Sequence, residues 1–199
     1  MSEADVREQR RRGRPRSEAA RLAILEAAGE LLLTNGLEAV SMDAVAERAG
    51  VSKATIYRWW PSKAALLLEV YQRGKRVDTP DTGNLEEDLV GFLKNLFSHW
   101  RQTSSGSVFR SLVAEAQSDP AAAAALADYA RGRRAHTGQM IERAKARGEV
   151  AADVNAELVA DLIASFAWTH LLTDRLDEDE ATIRAAVRYV MHGIAPGAR

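Results

Sequence analysis

The chain has 199 residues, of which 46% are hydrophobic and 28% charged, and a formal net charge of -1 at pH 7. This is the composition of a folded globular protein, with room for one domain or two small ones. Because it has no cysteine it forms neither disulfides nor thiolate metal sites, and no apolar run approaches the roughly 18 residues of a membrane span.

The first residues are hydrophilic and basic and lack the apolar segment of a signal peptide, which makes the cytoplasm the expected location. Arg7 to Glu18 reads REQRRRGRPRSE, and residues 1–16 are expected to form a disordered basic arm. Its Arg12-Gly13-Arg14-Pro15 stretch resembles the core of an AT-hook, in which an extended backbone lays arginines in a narrow minor groove. Arg12 and Arg14 are its candidate DNA contacts, and a solvated tail that aids solubility is the alternative. The arm belongs to a wider asymmetry: Met1 to Arg76 carries a charge of +4, whereas Val77 to Arg199 carries -5. A basic module that meets an anion is thus joined to an acidic module with another task.

Nearly every segment beyond the arm has helical periodicity, and no run alternates like a strand, so an all-α fold is expected. Ser17 can cap a first helix with inner face Ile24, Ala28, Leu31 and Leu32, ending at Asn35-Gly36. Ser41 can cap a second with Val45, Ala46 and Ala49 inward. Gly50 turns the chain, and Ser52 can cap a very short third helix from about Lys53 to Trp59. Pro61-Ser62 ends it and opens a fourth, running to about Arg76 with Leu66, Leu67 and Val70 inside. The polar VDTPDTGN, Val77 to Asn84, is the expected linker between a domain at 17–76 and a second at 77–199. Further helices are expected at Leu85 to Gln102, Val108 to Ser118, Pro120 to Arg147, Ala156 to Leu172 and Glu178 to Ile194.

Two short helices joined through Ala49-Gly50-Val51-Ser52 have the layout of a helix-turn-helix. On the third helix Ile56 and Trp60 share one face, four residues apart, and are expected in the core. Lys53, Ala54, Thr55, Tyr57 and Arg58 then point outward or sideways. A guanidinium can read guanine bidentately, the Thr55 methyl can touch thymine, and the Tyr57 hydroxyl can donate to a phosphate. Lys63 lies in the first turn of the next helix, where free N–H groups already favour an anion.

The run TNGLEAVSMDAVAERAGVSKATIYRWWPSKAALL, Thr34 to Leu68, resembles the DNA-binding signature of TetR-family transcriptional regulators. The resemblance implies DNA contacts from Ser41, Lys53, Thr55, Tyr57, Trp59 and Lys63, with Ala54 allowing close approach and Arg58 within reach of DNA. Trp59 stands where His or Tyr is frequent in the family, and Trp60 where Phe is usual. The fold it implies is a three-helix DNA-binding domain joined through a fourth helix to a helical effector-binding and dimerisation domain.

The last two helices carry apolar stripes, Leu158, Leu162, Phe166 and Thr169 on one and Ile183, Val187, Val190 and Met191 on the other. Either stripe suits a monomer core; the resemblance implies a homodimer formed by these helices as a four-helix bundle. A palindromic operator on double-stranded DNA is the matching partner. Phe92, Leu96, Trp100, Phe109, Leu112, Tyr129, Met140, Phe166, Trp168 and His170 are the candidate lining of an effector pocket. The family resemblance implies a small, often hydrophobic occupant, and repression relieved when it binds.

No Gly-rich phosphate loop, GxSxG or HExxH is present, and His99, His136, His170 and His192 lack ligand spacing, so no enzyme, metal or cofactor is expected. An architectural protein that binds A·T-rich DNA through its arginine arm is the rival from another class. A second is an enzyme or carrier with a vestigial helix-turn-helix.

Overall fold

The computed structural model describes residues 3–74 and 77–193, with side chains from Glu18 onward. Among these residues the regular structure is entirely helical. Two compact units are formed, Met1–Gly74 with Leu112–Leu126, and Lys75–Ser111 with Ala127–Arg199. The segment Leu112–Leu126, which the sequence groups with the second domain, clusters with the first unit.

In the first unit α1 spans Glu3–Asn35. It opens well before Ser17, so the stretch expected to be a disordered arm has helical backbone; its Glu, Gln and Arg residues are good helix formers. The side chains of Arg12 and Arg14 lie outside the described residues. The predicted inner face holds: Ile24, Ala28, Leu31 and Leu32 are buried, and α1 packs on α2 (Met42–Ala49) and α4 (Lys63–Gly74). Burying each of the Ile and Leu side chains contributes roughly 1.5–3 kcal/mol.

The short elements between are set by their ends. Ser41 Oγ accepts from Ala44 N at 3.1 Å, which satisfies one of the donors a helix start leaves open. Gly50 closes α2 in the left-handed region, φ 65°, a conformation that other residues adopt only under strain. Ser52 caps α3, Lys53–Tyr57, by accepting from Thr55 N. This helix ends two residues before Trp59, yet backbone bonds from Arg58, Trp59 and Trp60 to Ala54 and Ile56 carry the turn on. Pro61 then forbids continuation, and the buried Ser62 restarts the chain by accepting from Ala65 N.

The second unit contains α5 (Leu85–Gln102), most of α7 (Pro120–Arg147), α8 (Ala156–Leu172) and α9 (Glu180–His192), together with the start of α6 (Ser105–Glu115). Helices α5, α7 and α8 have the predicted bounds. Helix α6 begins three residues earlier than expected because Thr103 Oγ1 accepts from Ser105 N, so a Ser-Gly stretch that reads as loop joins the helix. Asp179 caps α9 by accepting from Thr182 N at 2.7 Å. The α5–α9 contact is laced by ion pairs from Arg184 to Glu86, Glu87 and Glu180 and from Arg188 to Glu86. The core of this unit is aromatic.

Candidate functional site

Ile56 is fully buried and Trp60 nearly so, whereas Tyr57 is 48% and Trp59 38% exposed. A five-residue helix has few positions per face, so seating Ile56 and Trp60 inward turns Lys53, Ala54, Tyr57 and Arg58 to solvent. Thr55 is half-buried, and its hydroxyl lies 2.9 Å from that of Ser52. Ser41 is exposed at the head of α2, and Lys63 is half-buried at the head of α4. All eight residues predicted on the helix-turn-helix and the following turn therefore lie within one short stretch of chain, most of them open to solvent.

Their charges are not equally free. Lys53 Nζ lies 3.0 Å from Asp43 Oδ1. The hydrogen bond to that carboxylate, then its charge, holds the ammonium above its usual 10.5. Arg58 and Lys63 have no ion-pair partner among the described residues. A polyanion meets two unpaired cations here and a third that must leave a solvent-exposed carboxylate, an exchange that water and salt screen.

Trp59 and Trp60 are held by residues that the sequence does not single out. Glu69 pairs with Arg21 through Oε1 and accepts from Trp60 Nε1 at 2.8 Å through Oε2. The Arg21 guanidinium is 5.9 Å from the ring centroids of both indoles, within cation–π range. One carboxylate thus ties α1, the end of the α3 turn and α4 together. The available signal is Glu69 itself, a lone acid inside the apolar run Leu66 to Tyr71.

In the second unit the candidate effector residues form a filled aromatic core. Phe97, absent from the predicted set, touches Trp100, Phe166 and His170 at centroid distances of 6.4, 6.2 and 5.4 Å. Phe109 touches Trp100, Tyr129 and Trp168. Phe92, Leu96 and Met140 are buried, and Leu112 is buried in the segment that clusters with the first unit. His170 Nδ1 lies 2.8 Å from the Phe166 carbonyl, and its Nε2 lies 3.1 Å from Arg175 Nη2. The same Nε2 also lies 3.2 Å from Glu178 Oε2. Trp100 borders a cavity of about 430 Å³ with Arg101, Arg110 and Asp174. Trp168 borders another of about 290 Å³ between α7 and α8.

The predicted interface stripes divide. On α8, Leu158 and Leu162 are 58% and 49% exposed. On α9, Ile183 and Val187 are core residues, because that face is used against α5 and α8, while Val190 and Met191 are half-buried. Leu172 and Tyr189, both missed by the stripes, are exposed large apolar residues on the same two helices. Among the described residues no helix is long and apolar enough to cross a membrane.

Comparison with known proteins bears on both units. Residues 24–70 match the model of the tetR family of bacterial regulatory proteins, and residues 79–190 match that of the tetracyclin repressor-like C-terminal domain. The HTH-type transcriptional regulator YdeS of Bacillus subtilis is 34% identical over 94% of this chain and 95% of its own. The DNA-binding transcriptional repressor TetR of Mycobacteroides abscessus is 32% identical, with 92% of this chain and 98% of its own covered. Among solved structures, that of the TetR family transcription regulator SCO0332 superposes with a TM-score of 0.75 at 32% identity, covering 89% of this chain and 99% of that one.

Proposed function

The chain belongs to the tetR family of bacterial regulatory proteins, and from that premise we propose that it is a homodimeric, cytoplasmic repressor that leaves a palindromic operator when a small effector binds. That it is a DNA-binding transcriptional regulator follows from the family. The observation that carries the finer reading is the division of the α3 turn, in which Ile56 and Trp60 are buried while Lys53, Tyr57, Arg58 and Trp59 face solvent. In this reading Lys53, Thr55 and Arg58 meet base edges, with Ala54 allowing the approach. Ser41, Tyr57, Trp59 and Lys63 meet phosphates. Such a head spans only a few base pairs, so two heads are needed for a specific site. Leu158, Leu162, Leu172 and Tyr189 are the exposed apolar residues available to join them. The arm arginines Arg12 and Arg14 supply further, salt-sensitive contacts.

An effector acts by binding better to the dimer whose heads are wrongly spaced for DNA. The reading is tested by selecting duplexes from a random pool with purified protein at physiological salt. A palindrome should be enriched by the native chain and not by Tyr57→Ala. Recovery of only A·T-rich duplexes, or of none, would overturn it and favour binding through the arm.

A further inference from the structure

We infer that the groove between α7 and α8 binds a small organic carboxylate with an apolar body, an assignment that rests on the ligand-responsive reading above and gives it a site and a chemistry. The two helices approach closely at Gly138, where an added Cβ would lie 3.7 Å from the Ala156 carbonyl oxygen. Toward Arg133 on α7 and Trp168 on α8 a cavity of about 290 Å³ opens. The small side chains of Ala160 and Ala164 line it without filling it, and Phe109 sets the Trp168 ring by an edge contact at 5.1 Å. One wall is therefore a fixed aromatic surface.

Two polar side chains on this cavity have no hydrogen-bond or ion-pair partner among the described residues. Thr137 is only 6% exposed and lines the cavity, yet its hydroxyl makes no hydrogen bond to a described residue. A helical threonine ordinarily donates to the carbonyl four residues back, as Thr169 and Thr173 do here at 2.9 and 2.7 Å. Thr137 instead leaves its hydroxyl open to the cavity. Arg133 is half-buried on the same wall and has no ion-pair partner among the described residues. Its neighbour Arg134 is already bonded to Asp161 at 2.8 Å, which neutralises the acid of the groove. What remains is one planar guanidinium and one hydroxyl beside an apolar floor, and a carboxylate matches that fork geometrically and electrostatically. The volume lies at the small end of ligand sites, which run from roughly 300 to 1,000 Å³, and suits one ring or a short acyl chain. The cavity beside Trp100 is less suited, because Arg110 there is engaged by the Leu171 carbonyl and Asp174.

The test uses the full chain with benzoate and hexanoate as probes, and benzamide and hexanamide as their uncharged counterparts. Binding is followed by calorimetry, and release of the selected palindrome is read in parallel. At least one carboxylate should bind roughly ten-fold or more tightly than its amide. Arg133→Met should remove that difference while leaving the amide's affinity unchanged, and Arg133→Lys should restore part of it. Thr137→Val should weaken both members of the pair several-fold. Equal binding of acid and amide to the native chain overturns the assignment even if a variant fails to fold. So does binding unaffected by Arg133→Met, or no binding of any probe up to about 10 mM. Arg133-dependent binding that leaves DNA affinity unchanged keeps the groove as a carboxylate site and removes the ligand-responsive reading. Release of DNA by another compound from an unimpaired Arg133→Met variant keeps that reading and overturns the groove as its site.

Discussion

The α3 turn and the α7–α8 groove are built on opposite plans. In the turn, the determining contacts are between near neighbours in sequence: Ser41 with Ala44, Ser52 with Thr55, and Lys53 with Asp43. In the second unit they join distant parts of the chain, as Phe97 with Phe166, Phe109 with Trp168, and Arg184 with Glu86. A surface made by local rules exposes its working side chains by default, since a five-residue helix cannot hide them. A cavity made by distant contacts exists only where packing leaves a gap, and the chemistry of the gap depends on which polar groups the fold leaves unpaired.

The largest effects should come from core truncation, and they should separate the two plans. Phe109→Ala removes a ring that touches three others and should cost about 3–5 kcal/mol. Ile56→Ala, at a fully buried position, should cost about 2–5 kcal/mol. Denaturant melts measure both. Only Ile56→Ala should weaken DNA binding by the folded protein. Equal loss of DNA affinity in folded Phe109→Ala would mean that the reading head is not set by its local contacts alone.

Trp60→Phe probes the Arg21–Glu69–Trp60 contact that ties the head to α1. It keeps most of the packing but leaves the half-buried Glu69 with Arg21 as partner, at a cost of about 1–2 kcal/mol. In a double-mutant cycle with Arg21→Met the two losses should be non-additive. Additivity would show that Glu69 does not couple the indole to the guanidinium.

A smaller effect, of opposite sign, is expected at Asp43. Asp43→Asn frees Lys53 from its exposed partner and removes a negative charge near the proposed phosphate track. DNA affinity should rise about two- to five-fold at low salt, the range of an exposed pair. Lys53→Met should lower it and relax the base preference at the operator position that Lys53 reads. An unchanged preference would place Lys53 off the base edges.

The legibility of the sequence follows the same division. Ser41, Gly50, Ser52 and Pro61 act through their own backbone neighbours, so the caps and turns of the reading head can be deduced from residue type. The bounds of α5, α7 and α8 are equally plain from periodicity and caps. The start of α1 is not, because Arg-rich sequence suits both a solvated tail and a helix. Aromatic residues at helical spacing suggest a pocket, but Phe97 and Phe109 bring most of them together into a filled stack. Nothing local distinguishes Arg133 from Arg134. Their difference is that α8 supplies Asp161 to Arg134, and that is a property of the fold.

The smallest predicted effect is pH dependence, and it should act on the two plans from opposite ends. In the second unit Glu87 is held below its usual 4.5 by the Arg184 guanidinium, and Glu180 by Lys94 and then Arg184. Glu149 is held below the same value by Arg147 and the Leu85 N–H, and Asp179 lies below its usual 3.8 through the Thr182 N–H it caps. A depressed acid contributes stability that is complete above its unfolded value and is lost as pH falls through the folded one. These contributions should therefore fade below about pH 4.5. Lys53 is shifted the other way: its raised value contributes below 10.5 and is lost as pH rises through the folded value. All of these groups are exposed, so each shift is small and screened by salt. Hydrogen exchange corrected for intrinsic rate should show amides at the starts of α5 and α9 losing protection on acidification before those of α2 and α3, with 1 M salt narrowing the gap. Earlier loss at α2 and α3 would mean that the charge lattice along α5 and α9 does not hold the second unit together, leaving its stability to the aromatic core.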